Sequence, residues 1–217
     1  GKTVNLTTKR KIFAHTSGIF KELKSLPKKA KIDYITFSGM GEPTLAKNIG
    51  SLIKAIKKVR KEKIAVLTNS ALLWDRKVQK DLLEADFVVA KLDAHNQKTF
   101  EAVNKPVKGL KLKKVIAGIK AFRKIYKGKF ALQIMFMPEN KKYAGQIAEI
   151  AKTINPDEVQ INTPLRPSKI NPVSRRELLK IAKYFNKMNV ITVYGAPKKK
   201  VKPISDRDTL RRRGKIK

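Results

Sequence analysis

Ile35-Thr36-Phe37-Ser38-Gly39-Met40-Gly41-Glu42-Pro43-Thr44-Leu45 reads as an apolar strand that runs into a glycine-rich turn carrying a single carboxylate. Glycine has no side chain and tolerates positive φ, so Gly39 and Gly41 let a ligand approach the backbone closely. Glu42 places one anionic acceptor at the strand's C-terminal end, and Pro43 stiffens the exit. In parallel α/β proteins that end is where ligands bind. The same residues also suit a purely structural strand-to-helix turn, because short glycine motifs are common.

Outward from this stretch, short β-branched runs alternate with longer amphipathic segments, the pattern of βαβ units and a parallel sheet. Strands are expected at 33–38, 64–68, 86–92, 129–137, 157–162 and 190–194. Helices are expected near 17–25, 48–62, 76–84, 110–125, 143–153 and 175–187, with a polar loop over 94–108. Ile49, Leu52, Ile53, Ile56 and Val59 recur at helical spacing. Asp75 suits an N-cap, and Ser174-Arg175-Arg176-Glu177 is a capping box at the start of the last helix. Periodicity fits two α/β architectures, an open (β/α)6 partial barrel lacking its first unit and a doubly wound sheet.

The motifs, taken in order, resemble those of the radical S-adenosylmethionine (radical SAM) superfamily. Gly39-Met40-Gly41-Glu42-Pro43 is similar to the Gly-Glu-Pro motif that follows the second barrel strand there. Val66 to Trp74 resembles the third strand and its turn. Lys91-Leu92-Asp93-Ala94, with Phe100 and Asn104-Lys105-Pro106, resembles the fourth strand and loop of Fe–S oxidoreductases related to wyosine-synthesising enzymes. Gln160 to Pro167 resembles their sixth strand. The resemblance favours the partial barrel and implies S-adenosylmethionine as cofactor. Glu42 would hold its amino group, with Gly39, Met40 and Gly41 giving backbone access. Thr68, Asn69 and Asp93 would complete the cofactor site, Asn69 and Asp93 toward the ribose or carboxylate.

One departure stands against that reading: the chain contains no cysteine. A [4Fe–4S] cluster needs soft thiolate ligands, which the superfamily supplies as Cys-x3-Cys-x2-Cys after its first strand. His15 and His95 lie far apart and cannot substitute, so no metal site is expected. Two origins account for this, a cluster loop lying upstream of Gly1 and a loop lost in evolution. Gly1 is not an initiator Met and no first strand precedes the first helix, which points to the upstream loop. The cluster then belongs to a longer form carrying the cysteine motif, where it would reduce S-adenosylmethionine to a 5′-deoxyadenosyl radical. The chain by itself is expected to be catalytically silent.

Charge is the second strong feature: 51 Lys plus Arg stand against 17 Asp plus Glu, a formal +34. Forty of the cations are Lys, hydrated point charges suited to diffuse attraction to phosphates more than to base readout. RNA is therefore the expected partner, with RNA modification as the enzymatic reading and a cluster-free RNA-binding or ribosome-associated module as the alternative. A solvated lysine surface is the plain reading, but such surfaces usually balance Lys with Glu. With 41% apolar residues, 1–195 can form one domain with a core, and 196–217 is read as a basic C-terminal tail. No apolar run reaches ~18 residues and the N-terminus has no secretory apolar stretch, so a cytoplasmic protein without a membrane span is expected. Strand alternation puts Lys91 and Asp93 on one face, where Gln133, Asn162 and Arg166 could line a substrate cavity.

Overall fold

The computed structural model describes residues 6–27, 31–39, 41–165, 170–197 and 203–213. Six strands form a single sheet: β1 (Tyr34–Phe37), β2 (Lys63–Thr68), β3 (Phe87–Lys91), β4 (Lys129–Met135), β5 (Glu158–Asn162) and β6 (Val190–Thr192). They lie in the order β1-β2-β3-β4-β5-β6 and every pair is parallel. A doubly wound sheet reverses its strand order at a switch point. This order never reverses, so the chain winds in one direction, as a partial barrel does.

Eight α-helices accompany the described strands: α1 (Thr16–Lys24), α2 (Ile49–Val59), α3 (Arg76–Leu82), α4 (Gln97–Asn104), α5 (Leu112–Ile125), α6 (Ala144–Ile154), α7 (Arg175–Ala182) and α8 (Asp206–Arg213). Ile49, Leu52, Ile53 and Ile56 of the stripe foreseen on α2 are buried against the sheet, whereas Val59 at the helix end is exposed. Ile53, Ile56, Leu82, Ile119, Phe122, Ile147 and Leu178 join Val66, Val88, Leu132, Ile134, Val159 and Ile161 in one buried cluster. Phe122 is fully buried, stacked at 4.9 Å on Tyr126 and edge-on to Phe130 at 6.0 Å. Truncating such a ring costs about 3–5 kcal/mol.

The caps behave as their residue types require. Asp75 accepts from the Lys77 N–H at 2.8 Å, and Ser174 accepts from the Glu177 N–H at 3.2 Å.

Two expectations need correction. The segment 94–108 is not all loop, because Asn96 caps α4 by accepting from the Thr99 N–H at 2.9 Å. Its polar composition hid an amphipathic turn that buries Thr99 and Phe100. The helix foreseen to residue 187 ends at Ala182, tightens into a 3-10 turn at Lys183–Phe185, and reverses at Lys187 with φ 67°. Within the basic C-terminal segment, helix α8 forms, its Thr209 N–H donating to the Ser205 carbonyl at 3.0 Å.

Candidate functional site

All six strands point the same way, so the turn after β1 and the ends of β2, β3, β4 and β5 share one rim. Glu42 is the knot of its first half. It caps a 3-10 turn at Pro43–Leu45, where Oε1 accepts from the Thr44 N–H at 3.1 Å and the Thr44 hydroxyl at 2.7 Å. From the end of β2, the Thr68 hydroxyl donates to Oε1 at 2.6 Å and the Asn69 N–H donates to Oε2 at 2.7 Å. A carboxylate has about four acceptor sites, two per oxygen. Oε1 is crowded by three donors, whereas Oε2 serves one and keeps room for another. Gly39 and Gly41 are exposed, and an added Cβ at either would meet nothing within 4 Å. Packing therefore does not demand glycine there; the space beside the backbone is open. Met40 and Arg166, both expected at the site, lie outside the described residues.

Arg10 was not foreseen. Its guanidinium donates to the Thr44 carbonyl at 2.9 Å and the Ala46 carbonyl at 3.0 Å, and pairs with Asp81. It clamps the Glu42 turn from the N-terminal segment, which also bridges Lys11 to Ala46. One arginine among eleven carries no sequence signal for such a role. Ser70 was equally invisible. It sits at φ 67°, uncommon for a residue with a side chain, and its hydroxyl donates to the Lys91 carbonyl at 2.9 Å. Ser70 thereby ties the end of β2 to the end of β3.

Asp93 organises the second half of the rim. Only 2% of it is exposed; it accepts from the Met135 N–H and from the Asn104 amide, each at 2.7 Å, and Lys91 lies at 3.4 Å. Burial pushes its carboxyl above the usual aspartate range, against the opposing pull of Lys91 and the two hydrogen bonds. Its carbonyl accepts from the fully buried Asn140, which also donates to the Met135 carbonyl. The side chain expected to touch cofactor is thus engaged in holding β3, β4 and α4 together.

On the sheet face away from the main core, register aligns Lys91, Gln133 and Gln160 across β3, β4 and β5. Gln133 donates to Gln160 at 3.1 Å, Gln160 to Glu158 at 2.8 Å, and Lys129 to Glu158 at 2.6 Å. Asn162 is half-buried one step nearer the rim, level with Met135. This polar lane gathers three of the expected substrate-side residues and adds Gln160 and Glu158.

Two open clefts, of about 520 and 420 Å³, lie at the opposite end, lined by residues such as Asp33, Lys61 and Glu84. They sit at the strands' N-terminal ends and share no residue with the rim site. His95 rests 4.2 Å from the Tyr143 ring with Nε2 2.9 Å from the Asn96 amide nitrogen, and burial lowers its pKa. Among the described residues no group of His, Cys, Asp and Glu could hold a metal ion. No helix of the described residues is long and apolar enough to cross a membrane.

Comparison with known proteins places this geometry. Residues 9–151 match the family model described as the radical SAM superfamily. A UPF0026 protein of Synechocystis sp. is 36% identical over 77% of this chain and 63% of its own length. A UPF0026 protein of Methanocaldococcus jannaschii is 35% identical over 87% of this chain and 61% of its own. The chain thus spans about three fifths of the length of these two relatives. Among solved structures, TYW1 with a lysine–pyruvate adduct bound superposes with a TM-score of 0.60 at 16% identity, over 80% of this chain and 58% of that one. At that identity the likeness speaks for the fold.

Proposed function

This chain belongs to the radical SAM superfamily, and on that premise we propose that its rim holds S-adenosylmethionine as part of a radical enzyme domain. One observation carries the reading: Glu42 is pinned across two strand ends and keeps an acceptor site on Oε2, beside exposed Gly39 and Gly41. A pinned carboxylate meets a ligand ammonium without paying to order itself. Oε2 accepts from the cofactor's α-ammonium, and the open backbone at Gly39 and Gly41 admits the methionyl group. The exposed Asn69 side chain reaches toward the ribose or carboxylate. Asp93 acts through the rim it holds, positioning β3 and β4. Lys91, Gln133 and Asn162 face the substrate.

The residues present fit S-adenosylmethionine but do not fit a [4Fe–4S] cluster, because the chain has no thiolate. A cluster would require thiolate ligands that this chain does not contain. The formal +34 supports RNA as the substrate class and RNA modification as the activity. The same charge favours a second reading, in which a cluster-free relative binds RNA without catalysis.

The amino-group contact is tested by calorimetric titration with S-adenosylmethionine and with an analogue lacking the amino group. The wild-type chain is expected to bind the analogue at least about tenfold more weakly, the loss of one charge-assisted hydrogen bond. In Glu42→Gln that difference between the two ligands should vanish, whatever the variant does to overall affinity. An equal preference for the amino group in both proteins would remove Glu42 from the site.

A further inference from the structure

Between Glu101 and Glu139 the chain carries nine Lys and one Arg and no acid. Five of these lysines, Lys105, Lys108, Lys111, Lys113 and Lys114, crowd the turn between α4 and α5 and the first residues of α5, and all are exposed. None of the five forms an ion pair among the described residues. The turn is held against the rim, since Gln97 at the start of α4 donates to the Leu110 carbonyl at 3.1 Å and accepts from the Leu112 N–H at 2.8 Å. The cations therefore gather at the end of the molecule that carries Glu42.

Trp74, the only tryptophan, lies beside them and is 38% exposed. Its ring is fixed by a hydrogen bond from Nε1 to the Ala71 carbonyl at 2.9 Å. The Ala71 N–H in turn donates to the Asn69 side chain at 2.9 Å, so the ring is linked through the rim loop to the residue bound by Glu42. Gly118 makes the arrangement possible, since a Cβ there would stand 2.4 Å from the Trp74 backbone nitrogen. Helix α5 thus packs directly on the loop, and one turn earlier the Lys114 ammonium rests 3.3 Å from the centre of the indole ring. An exposed cation–π contact is weak and yields readily to a stronger partner.

A flat, anchored aromatic ring with lysines along one side matches the chemistry of an unpaired nucleotide, base on ring and phosphates on ammonium groups. The geometry points to a single-stranded RNA platform, with a base stacking on Trp74 as Lys114 swings to a phosphate, and with Lys105, Lys108, Lys111 and Lys113 tracking the backbone. This deepens the RNA reading above and rests on it: it names the surface and the feature recognised, an unpaired loop or end, beside the cofactor rim.

Trp74 supplies its own reporter. At 50 mM salt the full chain is titrated with a 12-nucleotide single-stranded RNA, a duplex of equal charge, and inorganic polyphosphate, following tryptophan emission, with fluorescence anisotropy for affinity. Single-stranded RNA is expected to quench the emission, whereas duplex and polyphosphate leave most of it. Trp74→Leu should weaken the single strand about tenfold and spare the duplex. Changing Lys105, Lys108, Lys111 and Lys113 to Gln should weaken both and flatten the salt dependence of single-strand binding by about 0.7 per lysine removed. Equal quenching by polyphosphate, or an unchanged single-strand affinity in Trp74→Leu, would overturn the platform while leaving RNA binding intact. Absence of binding to either RNA would overturn the RNA reading and the platform together. The cofactor titration is unaffected by all of these outcomes.

Discussion

At Asp93 the structure sets a buried carboxyl against a half-exposed lysine. Desolvation dominates and lifts its pKa above the ordinary 3.8, so the folded state binds the proton more tightly than the unfolded chain. The sign follows from linkage: the stability this group contributes is fully present below about pH 3.8 and is lost as pH rises through the higher folded-state value. Replacement by Asn removes that dependence. It also meets a ready partner, because Asn104 Oδ1 is buried without a hydrogen bond and could accept from the new amide after a flip. Urea midpoints of wild type and Asp93→Asn, taken from pH 3.5 to 7 at fixed ionic strength, should show the wild type's advantage shrinking as pH rises. An advantage growing with pH would mean that Lys91 and the hydrogen bonds outweigh burial.

Among the elements, two of the helical glycines, Gly18 and Gly118, make a contrast that composition cannot show. A Cβ at Gly18 in α1 would meet nothing within 4 Å, whereas at Gly118 in α5 it would meet the Leu73–Trp74 backbone at 2.4–2.8 Å. Glycine costs a helix interior about 1 kcal/mol relative to alanine. Gly18→Ala should therefore stabilise the chain by about 0.5–1 kcal/mol. Gly118→Ala forces backbone apart, and overpacking costs about 1–3 kcal/mol, so the clash should override the helix gain. Chemical denaturation of the two variants checks both signs. Gly118→Ala should also move Lys114 off the indole, visible as a change in Trp74 emission.

Over the whole molecule, +34 in 217 residues means self-repulsion that local ion pairs only partly relieve. Lys57–Asp86, Arg123–Asp157 and Lys129–Glu158 each place an acid at the N-terminal end of the sheet, while the five exposed lysines around the α4–α5 turn have no ion pair among the described residues. Salt screens like charges over about 10 Å at 0.1 M. Raising NaCl from 50 to 300 mM should therefore raise the melting temperature, the reverse of a molecule stabilised chiefly by surface ion pairs. A melting temperature that falls with salt would show the pairs to matter more than the net charge.

The sequence by itself determined the six strands and most of the helices. Each rests on local signals: β-branched runs, 3.6-residue periodicity, and caps such as Asp75 and Ser174. It also determined the charge and the lack of thiolates, which need no fold. Periodicity could not choose between a doubly wound sheet and a partial barrel, because strand order is a long-range property that no local window contains. Nor could it show that Arg10 clamps the Glu42 turn across more than thirty residues, that Ser70 adopts positive φ, or that Asp93 ties β3 to β4 and α4. Those roles come from hydrogen bonds between segments distant in the chain. Only the tertiary structure brings such segments within three ångströms, and only there does burial decide what a carboxylate is free to do.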